Sequence, residues 1–236
     1  MKNNGIRIAP LLMAMIILGM IFVPAVSAKD IKDDKKEETT GLYGLEMSDY
    51  LKEHVDQIDA YTFVSDEDSE EFDAAWGAYL QEAIEQNEPN AKEVSALSDI
   101  EWDKSKYDFD TVSDGEGYSY MHGILEQDFY GYTYYGNGYT RADWDGSSTP
   151  EKIIQESIIT IQGLSVSLSI PPDVGFTVVD NTFVYDADYT GQKDVTHTYS
   201  GLEAQTNYAF TDFDQDDEQQ FRFASTSYTV TTHIDL

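Results

Sequence analysis

The chain contains no cysteine, and this one absence removes disulfide bonds, thiolate metal centres and lipid-modified cysteine anchors together. Basic residues are also scarce. Only 14 Lys and Arg stand against 45 Asp and Glu, for a formal charge of -31. A surface of that sign repels a nucleic-acid backbone and anionic lipid, which argues against nucleic-acid binding. No basic stripe offsets it, because Lys29, Lys32, Lys35 and Lys36 are interleaved with acids. Beyond Val23 no apolar run approaches the roughly 20 residues that a membrane helix needs. The four histidines, His54, His122, His197 and His233, form no His-Glu-x-x-His pair, so a zinc hydrolase is unsupported. No Gly-x-Ser-x-Gly elbow is present either.

What is present begins with an address. Lys2 and Arg7 precede an apolar run from Ile8 to Val23, and Pro24 is followed by Ala25-Val26-Ser27-Ala28. A basic start, an apolar middle and a small-residue end predict a signal peptide over residues 1–28, cleaved before Lys29. The product would be secreted, extracellular or loosely attached to the cell surface, without stable membrane insertion. The compact leader and the missing disulfides point to a bacterium. Cleavage also removes two of the few basic residues. The acidity fits three roles: a solvated surface, adaptation to salt or divalent cations, or complementarity to a basic partner.

Residues 29–41 carry one apolar side chain, Ile31, and read as a flexible linker that cannot repay its ordering entropy. Helical spacing follows at Met47, Tyr50, Leu51, Val55 and Ile58, with Ser48 as N-cap. A stronger stripe runs through Phe72, Trp76, Tyr79, Leu80, Ala83 and Ile84, capped by Asp66 or Ser69 and stopped by Pro89. Val94, Leu97 and Ile100 suggest a third helical piece. Together these predict an antiparallel helical hairpin. The remainder of the 42–150 region is rich in Tyr, Gly and Asp. Strand residues 129–135 lead to Gly136-Asn137-Gly138, which has hairpin-turn chemistry. From residue 151 to 236 the pattern is short strands between Gly, Asp and Asn turns. Leu164 to Ile170 alternates, as does Tyr228 to Leu236, and the opposite parity of Phe221 and Phe223 places a break before Tyr228. The expected fold class is α+β: an N-terminal helical hairpin packed against a mainly antiparallel β region, with a C-terminal β-sandwich over 151–236.

Two features carry functional expectations. The first is an aromatic band, from which Tyr130, Tyr132, Tyr134, Tyr135, Tyr139 and Trp144 are candidate ligand-binding residues. Such side chains offer rigid apolar area with a polar tip, and serve equally to fill a core. The second is Asp212-Phe213-Asp214-Gln215-Asp216-Asp217-Glu218. Asp212, Asp214, Asp216 and Glu218 alternate, so they can converge on a hard cation such as calcium if the backbone curls. The EF-hand pattern fails, since Asp217 stands where glycine is needed and Phe223 where the bidentate glutamate belongs. The pair Asp143 and Asp145 before Gly146 follows the same logic more weakly, as do Asp108, Asp110, Asp114 and Glu116. His122, between Tyr120 and Glu126, is the weak catalytic candidate. The favoured reading is a secreted, non-enzymatic interaction protein that binds an extracellular protein, peptide or cell-wall glycan. The rivals are a secreted glycan or peptide hydrolase and an immunity or inhibitor protein against a cationic toxin.

Overall fold

The computed structural model describes residues 41–42, 45–87, 102–112, 116–127, 132–208 and 210–235. The signal segment, nearly all of the linker, the set Val94, Leu97 and Ile100, and Tyr130 lie outside them. Among the described residues the architecture is mainly antiparallel β, with two sheets and two short helices. In chain order the elements are α1 (Asp49–His54), β1 (Asp56–Gln57), β2 (Thr62–Ser65) and α2 (Glu70–Asn87). Then come β3 (Trp102–Val112), β4 (Gly117–Gln127), β5 (Thr133–Trp144), β6 (Lys152–Gly163), β7 (Ser167–Ser169) and β8 (Thr177–Val179). The last four are β9 (Thr182–Tyr189), β10 (Asp194–Gln205), β11 (Phe210–Arg222) and β12 (Ser227–Asp235).

The first sheet runs β1-β2-β10-β5-β4-β3, with β7 also pairing β10, and the second runs β12-β11-β6-β9-β8. The chain therefore changes sheets repeatedly, and β10 lies between β2 and β5 although it follows them by many residues. One face of the first sheet is covered by the helices. There Phe63 and Tyr139 meet Leu51, Phe72, Trp76, Tyr79 and Leu80. Its other face meets the second sheet, where Met121, Tyr199 and Leu202 pack with Ile159, Phe183 and Phe213. Sandwiched in this way, the central strands bury both side-chain sets, and residues 138–144 and 194–199 are buried without a break.

The stripe on α2 is as its spacing predicts: Phe72, Trp76, Tyr79, Leu80 and Ala83 are all buried. Trp76 stacks on Tyr79 at 5.3 Å and donates from Nε1 to Thr196 Oγ1 at 3.0 Å. Both caps were legible. Ser48 Oγ accepts from Leu51 N, and Ser69 Oγ accepts from Phe72 N at 3.2 Å. Ser69→Ala should cost about 1 kcal/mol, because one donor of the first turn loses its acceptor. A drop of about 2–4 °C in the thermal midpoint would report that loss by circular dichroism. An unchanged midpoint would show the cap to be replaceable by water. The first helix is shorter than its spacing suggests. Val55 turns extended while its N–H still closes on Leu51 O, and β1 and β2 then lie between the two helices.

Two local expectations are corrected. Asn137-Gly138 makes no turn and lies inside β5, which is continuous from Thr133 to Trp144. Its residues serve an irregularity in the partner strand instead. Asn137 Oδ1 accepts from Ser200 Oγ and Gly201 N, where β10 shifts register between Tyr199 and Leu202. A Cβ on Gly138 would collide with His122 O and the Tyr199 ring. The alternating run from Leu164 to Ile170 is also reduced to β7. Ser165 takes a left-handed φ of 58°, and Leu164 is left 67% exposed.

Candidate functional site

The aromatic band divides between core and surface. Tyr139 is buried under the helices, and Trp144 is buried between the sheets against Phe221, Phe223 and Tyr228. Neither presents a face to a ligand. Tyr134 is half-buried, edge-on to Phe210 at 4.2 Å. Tyr132 and Tyr135 are exposed. Two residues that the sequence reading passed over complete the surface group. Leu164 and Tyr208 are the most exposed large apolar side chains among the described residues. Thr206 fixes them beside Tyr132: its N–H donates to Tyr132 O at 2.9 Å and its hydroxyl to Leu164 O, while Tyr208 N donates to Thr206 Oγ1 at 3.3 Å. The edge of the aromatic end is thus pinned by backbone hydrogen bonds, with Tyr134 and Phe210 packed against the core beside it. Only sheet pairing could reveal this, because the three residues lie on three separate chain segments.

The Asp-rich stretch is no loop. Residues 212–218 lie in β11, hydrogen-bonded to β6 on one side and β12 on the other. Period two therefore sends Asp212, Asp214, Asp216 and Glu218 outward and Phe213, Gln215, Asp217, Gln219 and Phe221 inward. Asp212 and Asp214 come together with Asp235 of β12, with oxygens within 4.8 Å of one another. Burial, with Asp212 and Asp235 nearby, raises the Asp214 carboxyl. Asp216 pairs with His233 Nδ1 at 2.7 Å instead. Glu218 stands opposite Glu156, which stands opposite Asp186, so three acids cross the sheet in one rung. Burial and these two neighbours raise Glu156. A depression of about 660 Å³ on this face is lined by Asp110, Glu156, Asp216, Glu218 and His233 among others. His122 is not among its lining residues and lies edge-on to Tyr139 at 6.0 Å.

The inward set brings polar groups between the sheets. Tyr199 donates to Gln215 Oε1 at 2.6 Å, Gln219 Nε2 to Thr140 Oγ1 at 2.7 Å, and Gln155 Nε2 to Val195 O at 2.9 Å. Burial drives Asp217 up to about 7, against the lowering effect of Ser157, Thr140 and Gln215. His197 is buried and stacked on Tyr185 at 3.8 Å. Burial lowers it to about 4, and it is held as a neutral ring between Thr62 Oγ1 and Val174 O.

On the helix side of the first sheet, Arg141 serves three carboxylates. Its Nε donates to Asp194 Oδ2, and Nη2 to Asp73 Oδ1 at 2.6 Å and Asp143 Oδ2 at 3.1 Å. The guanidinium also lies 5.1 Å over the Tyr120 ring. Burial opposes its charge, and Asp194, Asp143 and Asp73 outweigh that effect. Asp143 and Asp194 are themselves raised, first by burial, with Arg141 pulling the other way. Asp145 rises to about 6 through burial and the nearby Asp73. Lys193 does not join this set, because its ammonium binds Asp68 and Gly146 O. No helix among the described residues is long and apolar enough to cross a membrane. No protein-family model matches the chain, and no curated protein matches its sequence.

Proposed function

We propose that the protein is secreted and acts outside the cell as a non-enzymatic binding protein on a two-sheet, sandwich-like scaffold, engaging a protein, peptide or cell-wall glycan through its aromatic end. One observation carries this reading: Tyr132, Leu164 and Tyr208 are exposed together and fixed around the buried Thr206. Exposed aromatic and aliphatic area costs solubility unless something covers it, and rigid tyrosines lose little entropy on doing so. Tyr139, buried under the helices, and Trp144, buried at the opposite end of β5 from Tyr132, take no part in contact.

The test compares the wild-type chain with a Tyr132→Ala, Leu164→Ser, Tyr208→Ala variant as bait against cell-wall fractions and culture supernatant at two salt concentrations. Retained partners should weaken at least about tenfold with the variant while the thermal midpoint stays unchanged. Equal retention by both baits would sink the reading.

A second reading rests on the outer face of the second sheet, where Asp186, Glu156 and Glu218 share one rung and Asp212, Asp214 and Asp235 converge. This face suits a basic partner such as a cationic toxin, and its binding would collapse at the higher salt. Partners lost with salt but kept by the triple variant would select it.

A further inference from the structure

We infer that the end of the first sheet beyond the helices binds an uncharged, extended glycan, with a sugar ring on Tyr135 and sugar hydroxyls on Gln205, Glu203 and the serines of β7. This rests on the aromatic end being a binding surface, and it names the ligand. The strand register defines the surface. Tyr135 of β5 stands opposite Glu203 of β10, which stands opposite Ser169 of β7. Two residues along, Thr133, Gln205 and Ser167 make a second rung. Residues two apart on a strand share a face, as do direct cross-strand partners. The set between the rungs, Tyr134, Ala204 and Leu168, packs into the core between the sheets. The two rungs therefore point to the same side as Tyr139, four residues on in the unbroken β5, which packs under the helices. Here that cover has ended. Tyr135 is 39% exposed, Ser167, Ser169 and Gln205 are exposed, and Thr133 and Glu203 are half-buried.

The composition of these rungs selects the ligand. They hold a tyrosine ring, hydroxyls, an amide and a carboxylate, with no base and no large aliphatic side chain. Serine and glutamate are depleted from the centre of protein interfaces, where aromatic and apolar groups gather. An anionic polymer would meet a chain of charge -31 and find no base on this face. A cation would find only Glu203, whose Oε1 already accepts from Gln205 Nε2. A pyranose ring, by contrast, has an apolar C–H face and a rim of hydroxyls that both donate and accept. Tyr135 offers a flat ring to the first, and Ser167, Ser169, Gln205 and Glu203 offer donors and acceptors to the second. The bond between Gln205 and Glu203 orders both side chains before a ligand arrives, which lowers the cost of binding. A sheet face with rungs about 7 Å apart along the strand suits a flat, ribbon-like β-1,4-linked chain. Thr206, next after Gln205, bonds Tyr132 O and Leu164 O, so this face runs directly into the exposed Tyr132, Leu164 and Tyr208.

The experiment titrates two hexasaccharides into the protein by calorimetry, one of β-1,4-linked N-acetylglucosamine and one of β-1,4-linked glucose. The wild type should bind at least one of them, and the pair distinguishes a site that reads the acetamido group from one that reads the bare ring. Because the ligand is neutral, Kd should change by less than about twofold between low and high salt. Tyr135→Ala should weaken binding at least about tenfold, and Gln205→Ala about threefold or more. Both side chains are exposed, so the thermal midpoint should not move. Failure of the wild type to bind either hexasaccharide would overturn the inference. Full affinity in Tyr135→Ala would do the same, as would affinity that collapses with salt. The reading of the aromatic end can survive that failure. A protein captured by the wild type and by Tyr135→Ala, but lost from the Tyr132→Ala, Leu164→Ser, Tyr208→Ala variant, with no hexasaccharide bound, would keep the end as a binding surface and reject the glycan.

Discussion

Arg141→Ala is expected to remove about 3–5 kcal/mol of stability, enough to leave the protein largely unfolded at neutral pH if its total is near the low end of about 5–15 kcal/mol. The size of the effect follows from what remains. Asp143 and Asp194 are 1% exposed each, and with Asp73 they would keep their places around an absent guanidinium. Breaking one partner from a buried ionic network costs far more than the network contributes relative to an apolar core, because the stranded charges cannot recover water. Arg141→Lys separates charge from geometry. A single ammonium cannot direct Nε and Nη2 donors toward three carboxylates, nor lie flat over Tyr120, so an intermediate loss is expected. Urea unfolding at pH 7.5 measures both. A loss below about 1 kcal/mol for the alanine variant would mean that the pair behaves as a surface ion pair, contrary to its burial.

The second large effect has the opposite sign. Asp217→Asn should stabilise the protein, and more so as pH rises. Asp217 sits on the inward face of β11, 1% exposed, with Gln215 Nε2 donating to its Oδ1 at 3.2 Å. Burial holds its folded-state carboxyl at about 7, against 3.8 for the free group. Between those values the folded protein binds the proton more tightly than the unfolded chain. Stability contributed by this group is therefore intact below about 4 and is lost as pH climbs through about 7. Asparagine has no such proton and a nearly identical shape. The stability difference between variant and wild type should widen by about 2–3 kcal/mol between pH 5 and pH 8.5. Other titrating groups are common to both proteins and cancel in that difference. A difference that stays constant across this range would show that Asp217 is solvated.

Where one face of an element meets water, the sequence was a reliable guide. Phe72, Trp76, Tyr79, Leu80 and Ala83 repeat at threes and fours, and α2 buries all of them. Ser48 and Ser69 cap the helices for the local reason that made them recognisable, a hydroxyl placed three residues before an orphan N–H. On β12, Val230, Thr232 and Ile234 go in and Thr231 and His233 go out, and the parity break before Tyr228 is the turn that leads from β11. Mistakes came where local chemistry suited two structures. Asn-Gly permits a tight turn, but the same residues accommodate a register shift in a neighbouring strand, which no local signal announces. Asp212 to Glu218 carries the composition of a loop, and its two hydrogen-bonded neighbours make it a strand.

The candidate sites were less legible, for a related reason. Tyr132, Leu164 and Tyr208 share an end only because β5, the segment after β6 and the segment after β10 converge at Thr206. Asp73 reaches Arg141 from a helix, and Asp194 reaches it from a strand that follows by more than fifty residues. The sequence by itself determined the acidity, the lack of any thiol chemistry, the stripe of α2 and the alternation of several strands. A period of two shows that a strand has two faces, but it does not say which face meets water. That was decided by tertiary structure, which covers the first sheet on both sides and turns Gln155, Gln215, Asp217 and Gln219 inward. Buried polar groups follow from which strands become neighbours, and pairing across so many residues is set by the packing of the whole chain.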